Sequence, residues 1–202
     1  MINQKEISIK WINQVSKANK NADKILVEKV IRALILLEGL VKQKLDFVFK
    51  GETALMLHFN STKRLSIDID IILPKEDIGL NDILDSLATE QGFLRKELQH
   101  RNTNSKITKA HFKFYYTPFH KSNKTEDYIL LDILFEKADY KKIIQLPIES
   151  NFVPIINKPL LVNLPCLEDI LGDKLTAFAP NTTGIPYFKS ENSMSMEIIK
   201  KL

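Results

Sequence analysis

A single cysteine, Cys166, stands in the 202 residues, so no intrachain disulfide framework can brace the fold. A reducing setting agrees with that count without being demonstrated by it. Long hydrophobic runs are missing too. The longest, Ala33 to Leu37, falls far short of the ~20 residues that cross a bilayer. The opening Met1-Ile2-Asn3-Gln4-Lys5-Glu6-Ile7 has no apolar core of the kind that marks a signal peptide. Membrane insertion and secretion are therefore not expected, and a cytoplasmic location is. There is no internal repeat and no low-complexity tract. The histidines His58, His100, His111 and His120 lack metal-ligand spacing and lie far from Cys166 in sequence, so neither a histidine metal site nor a Cys–His nucleophile has a signature here.

What is present is ordinary globular chemistry. The chain is 44% hydrophobic and 27% charged, and a domain of this length buries roughly 70% of its unfolded surface. It needs no metal or disulfide to hold a core. The net charge of +4 and pI near 9.0 agree with a phosphate-rich partner, but many proteins without one look the same.

Residues 4–20 read as a short helix with apolar points at Ile7, Ile9, Trp11, Ile12 and Val15. Residues 22–44 read as a long amphipathic helix carrying Ile25, Leu26, Val30, Ala33, Leu34, Leu37 and Val41. Phe47-Val48-Phe49 predicts a strand that enters a tight turn at Lys50-Gly51, and helical spacing resumes over 53–59. Residues 66–73 alternate strictly and predict a strand closed by Pro74. A helix over 80–91 ends at Gly92. Residues 110–117 and 128–135 predict an antiparallel hairpin with a long polar turn, and 160–164 a short further strand. A helix over 167–179 stops at Pro180, and 194–202 begins another. A helix ending the chain has no partner after it, which is expected where a C-terminal part is missing or docks elsewhere. The whole predicts an α+β fold: a small mixed β-sheet flanked by helices, with a helical N-terminal arm over 1–45, a core over 46–180, and a loop with the start of a C-terminal helical region over 181–202.

The chemistry concentrates in three places. In Ser66-Ile67-Asp68-Ile69-Asp70-Ile71-Ile72 strand alternation turns Asp68 and Asp70 to one face, ~6.6 Å apart at Cα. Two acids on an otherwise apolar strand repel each other, and Mg²⁺ or Mn²⁺ relieves that conflict because hard cations prefer carboxylate oxygens. The alternative is a solvated polar edge. In Leu130-Leu131-Asp132-Ile133-Leu134-Phe135 one acid interrupts a run apolar on both sides, where a lone carboxylate needs a cation or strong donors. A Lys or Arg partner is the alternative to metal. Phe47 to Leu55 is strand, glycine turn, helix, whose free N–H groups suit phosphate oxygens. Gly51 permits close backbone approach, and Thr53 can cap the helix or donate to phosphate.

The order of these parts is similar to the polymerase-β-type nucleotidyltransferase superfamily. Within it, Phe49-Lys50-Gly51-Glu52-Thr53-Ala54-Leu55, Arg64-Leu65-Ser66-Ile67-Asp68-Ile69-Asp70 and Asp173-Lys174-Leu175-Thr176-Ala177 resemble the AbiEii/AbiGii toxin family. The resemblance implies a nucleotidyltransferase fold and a toxin of a type IV toxin–antitoxin or phage-defence system, with an antitoxin as partner. Its chemistry would move a nucleotide from an NTP to an acceptor hydroxyl, RNA or tRNA first among candidates. It implies Asp68, Asp70 and Asp132 as catalytic metal ligands, Asp132 also as a potential general base. It implies Lys50, Gly51, Thr53, Arg64, Ser66 and Lys174 as the nucleotide-binding set. Lys174 read alone could equally be a surface lysine lying along its helix. Glu52 departs from the pattern, since the family commonly has a second small residue there. A binding protein on the same fold, or a phosphotransferase moving the γ-phosphate, are the other classes the residues allow. The basic stretch Arg95 to Lys113 reads as a solvated loop, and Phe112, Phe114, Tyr115 and Tyr116 as sheet and core residues.

Overall fold

The computed structural model describes residues 1–60, 65–74, 79–99, 108–120, 125–176, 178–180, 184–189 and 191–199. A 3-10 turn at Gln4–Glu6 leads into α1 (Ile9–Ala18) and α2 (Lys24–Lys42). Then come β1 (Val48–Lys50), α3 (Gly51–Phe59), β2 (Ile69–Leu73), α4 (Leu80–Glu90), β3 (Arg95–Leu98), β4 (Lys109–Tyr116) and β5 (Asp127–Phe135). The chain continues through β6 (Ile143–Pro147), β7 (Leu161–Pro165), α5 (Leu167–Thr176), the two-residue strands β8 (Phe188–Lys189) and β9 (Asn192–Ser193), and α6 (Ser195–Ile199).

The central sheet has the order β1-β2-β5-β4-β3. Its β2–β5 pair is parallel and its other pairs are antiparallel, which is the expected mixed sheet. α2 and α4 cover one face. That face carries Phe49, Ile69, Ile71, Phe112, Phe114, Tyr116, Ile129, Leu131 and Ile133, all buried, in one cluster with Val30, Leu34, Leu37, Leu84 and Leu87 from the two helices. The cluster reaches from Ile2 to Ile170, so the N-terminal helices and the sheet share a single core. A second hairpin, β6–β7, lies beside β1 and is tied to α3 where His58 Nε2 meets the Pro165 carbonyl at 2.9 Å.

Local signals explain the element starts. Ser8 accepts from the Trp11 N–H at 3.3 Å and opens α1 at Ile9, splitting the helix expected over 4–20. Asp23 Oδ1 accepts from Ile25 and Leu26 at 2.7 and 3.2 Å, a cap worth about 1 kcal/mol. The chain amine end is fastened by Ile2 N–H donating to the buried Glu38 at 2.7 Å, which also pairs with Lys42 at 2.6 Å. The strand expected from Ser66 begins only at Ile69, because Ser66 and Asp68 bond to a side chain of α3 instead of a ladder. The stretch expected to be a solvated loop contains an edge strand, β3, paired with β4; Arg101 and Lys106 lie outside the described residues. Phe112, Phe114 and Tyr116 are core residues as expected, whereas Tyr115 lies on the other face beneath Arg95, 3.5 Å from its guanidinium to the ring centroid. The strand β6 was not expected at all. Among the described residues no helix is long and apolar enough to cross a membrane.

Leu34 is fully buried on α2 and Ile25 is 43% exposed on the same helix. Leu34→Ala should therefore cost about 3 kcal/mol in urea unfolding, while Ile25→Ala should stay within about 0.5 kcal/mol.

Candidate active site

The sheet register assembles the site. β1 sets Lys50 against Asp70, β2 sets Asp70 against Asp132, and β4 sets His111 against Asp132. Paired residues share a face, so Lys50, Asp70, Asp132 and His111 form one row across four strands, on the side away from α2 and α4. Their sequence neighbours Phe49, Ile69, Ile71, Leu131, Ile133 and Phe112 are the buried ones. Alternation along each strand thus delivers four polar groups to one line.

Asp132 ends in a direct contact: its Oδ1 lies 2.6 Å from Nδ1 of His111. A carboxylate only accepts, so Nδ1 carries the proton and donates. His111 is the more enclosed partner, its side chain 12% exposed against 29% for Asp132.

Gly51 begins α3 with φ +81°, a conformation costly for any residue with a Cβ. A Cβ there would run into the Asp70 carboxylate. The close approach that glycine permits is therefore to the chain's own acid. Two residues on, Thr53 is fully buried. Its Oγ1 lies 2.6 Å from the Asp68 carbonyl oxygen and 2.8 Å from Ser66 Oγ. With one proton to give, it donates to the carbonyl and accepts from Ser66. Thr53 and Ser66, expected at the triphosphate, are thus engaged with each other and hold Asp68 against the helix. The start of α3, at the partly exposed Gly51 and Glu52, carries the positive end of that helix's dipole.

α5 closes the other side. Lys174 Nζ pairs with Glu52 Oε1 at 3.2 Å, Lys50 Nζ with Asp173 Oδ2 at 3.4 Å, and Tyr140 donates its hydroxyl to Asp173 Oδ2 at 2.7 Å. Burial first, and then the Asp173 carboxylate, raises the Tyr140 phenol well above the ordinary tyrosine range, so it stays a donor. The departure at Glu52 is thereby balanced by Lys174. Each ion pair is partly exposed and is worth at most about 1 kcal/mol, weak enough for ligand phosphates to compete for the lysines.

Two cavities meet along this row. One of about 290 Å³ is lined by Lys50, Gly51, Glu52, Asp70, Asp173 and Lys174. The other, about 190 Å³, is lined by Lys50, Asp70, Lys109, His111 and Asp132. Lys50 and Asp70 belong to both.

The structure thus brings together Lys50, Gly51, Asp70, Asp132 and Lys174. It does not bring Asp68 into a three-ligand group with the other two acids: among the described residues no three His, Cys, Asp or Glu side chains are so arranged. Arg64 lies outside the described residues. As a donor set the row still fits a hard cation, because Mg²⁺ is commonly held by one or two carboxylates with waters and substrate phosphates completing the shell. His111, Lys109, Asp173 and Tyr140 are site residues that spacing alone does not single out. His111 has no signal of its own in the sequence; the β4–β5 register alone sets it opposite Asp132.

A family model described as nucleotidyl transferase AbiEii toxin, type IV TA system, matches residues 35–187, which include every residue of the row. Two solved structures are similar. One is a candidate nucleotidyltransferase from H. pylori, at 20% identity and TM-score 0.44, covering 74% of this chain and 56% of that one. The other is JHP933 from Helicobacter pylori, at 22% identity and TM-score 0.44, covering 74% and 55%. This chain thus spans just over half the length of each. No curated protein matches it.

Gly51→Ala should lower stability by about 2 kcal/mol in urea unfolding, since it strains a left-handed residue and displaces Asp70. Thr53→Val, which keeps the shape and removes the hydroxyl, should lower it by about 1–2 kcal/mol.

Proposed function

The chain belongs to the AbiEii nucleotidyl transferase toxin family of type IV toxin–antitoxin systems, and on that premise we propose that it transfers a nucleotide from an NTP to an acceptor hydroxyl in a metal-dependent reaction. The observation that carries the reading is the pairing of Asp70 with Asp132 on the open face of the sheet, beside a glycine turn at a helix start. Asp70 and Asp132 would hold Mg²⁺ or Mn²⁺, with Asp68 as the adjoining acid. When bound, the metal neutralises charge on the reacting phosphates and favours the hydroxyl's ionised form.

The chain's own groups do the rest. Lys50 borders both cavities and Lys174 borders the larger, so both lysines are placed to meet phosphate oxygens once released from Asp173 and Glu52. The start of α3, which borders the larger cavity at Gly51, adds the positive end of its dipole. The acceptor hydroxyl gives its proton to a carboxylate of the row, its oxygen bonds to the α-phosphorus, and pyrophosphate leaves. RNA, tRNA above all, is the acceptor class, a cognate antitoxin is the protein partner, and the cytoplasm is the setting.

The test is transfer from α-³²P-labelled NTPs, tried singly with Mg²⁺, onto total cellular RNA and onto the protein itself. Label should enter RNA, vanish with EDTA, and fall at least 10²-fold in Asp70→Asn with the thermal melt retained. Label from the γ-position instead would mean phosphotransfer. No label from either position, with NTP still bound, would leave a binding protein on this fold.

A further inference from the structure

The His111–Asp132 contact is unused by that mechanism, and at 2.6 Å it is a short side-chain bond. We propose that His111 is a positioning residue: it holds one oxygen of Asp132 so that the carboxylate presents only its other oxygen to the cation. The inference rests on the metal reading above and deepens it.

The geometry favours a fixed arrangement. The two residues are directly opposed on β4 and β5, their neighbours Phe112 and Leu131 are buried, and the Nδ1–Oδ1 distance is 2.6 Å. A hydrogen bond to a carboxylate at that distance is charge-assisted and directional. Asp132 otherwise has two equivalent oxygens and a side-chain torsion free to swing between them. With Oδ1 engaged by the imidazole, one oxygen remains for a cation beside Asp70. Single-oxygen ligation suits the small octahedral Mg²⁺, whereas Ca²⁺ takes more oxygens and readily uses both of a carboxylate. Partners that fix ligating groups in this way commonly change metal affinity 10–100-fold when removed. His111 would thus set both how tightly a divalent cation binds and which one.

The experiment is Mn²⁺ binding to the whole chain without nucleotide, followed by electron paramagnetic resonance of the free ion, with Mg²⁺ and Ca²⁺ as competitors. His111→Ala should weaken Mn²⁺ binding about tenfold and shift the competition toward Ca²⁺. His111→Asn, which keeps an N–H donor near the position of Nδ1, should recover much of both. Asp132→Ala should lose no further affinity when His111→Ala is added, because His111 acts only through Asp132. Thermal melts check folding, and His111→Leu serves the same comparison should His111→Ala unfold. Unchanged Mn²⁺ affinity in a folded His111→Ala protein overturns the inference while leaving the metal site standing, provided Asp70→Asn still abolishes binding. Additive losses in the double variant overturn it as well. No Mn²⁺ binding by the unaltered chain would remove this inference together with the reading it rests on.

Discussion

Two carboxylates occupy paired positions on neighbouring strands, and like charges so placed oppose the sheet that carries them. At ~5 Å and an effective dielectric of ~20 the repulsion is roughly 3 kcal/mol. The rest of the site is arranged around that conflict. Lys50 stands on one side of Asp70 in the same row, and His111 donates to Asp132 on the other. The row also faces the cavities and not the core, so both acids stay in contact with solvent. A fold that only needed stability would place a valine at either position. Keeping both acids at one register, open to a cleft, is a local sacrifice of stability that makes sense where a cation is to be bound.

The same constraint reaches back into the helix start. Asp70 fits only because residue 51 has no side chain, and the segment leading to Asp70 is fastened to that helix by Thr53. Glycine turn, buried hydroxyl and Asp-x-Asp segment are therefore one mechanical unit. Movement of α3 would shift the backbone at Asp68 and the carboxylate at Asp70 together. This ties the Lys50–Leu55 and Ser66–Asp70 stretches together by a physical link. The hydroxyl of one reaches the carbonyl of the other only if the intervening chain returns to the same edge of the sheet.

Much of this is legible in the sequence where periodicity is strong and local. The heptad-like spacing of Leu34, Leu37 and Val41 gives α2. The alternation of Ile69, Ile71 and Leu73 with Asp70 gives β2, and the aromatic runs give the β4–β5 hairpin. What is not legible depends on partners far away in the chain. Ser66 to Asp68 alternate as a strand should, yet their bonds go to Thr53 and the ladder starts at Ile69. Arg95–Leu98 is three charged residues and an exposed leucine, with the burial pattern of an edge, and nothing in its own residues marks it as a strand. His111 is an isolated histidine until β4 is laid against β5 in register. Thr53 reads as a phosphate ligand because its place after the glycine is suggestive, and only packing shows the hydroxyl turned inward. Spacing identifies which residues are unusual, and tertiary pairing decides what each one touches.

The cavity walls carry a further consequence. They bring four carboxylates, Glu52, Asp70, Asp132 and Asp173, against three lysines, Lys50, Lys109 and Lys174. Two of those lysines already share their charge with Asp173 and Glu52. A triphosphate entering such a cleft meets a surface whose formal charge is negative, and in a half-enclosed space that repulsion is poorly screened. Lys50 and Lys174 cannot reverse it, because either one drawn to phosphate leaves a carboxylate behind. On the proposed reading a divalent ion shared by Asp70, Asp132 and the phosphates removes the deficit at the point where it is largest. Release of Lys50 and Lys174 from Asp173 and Glu52 then becomes an exchange of one anionic partner for another. The acidity that counts against nucleotide binding is, on the proposed reading, what makes binding conditional on the metal.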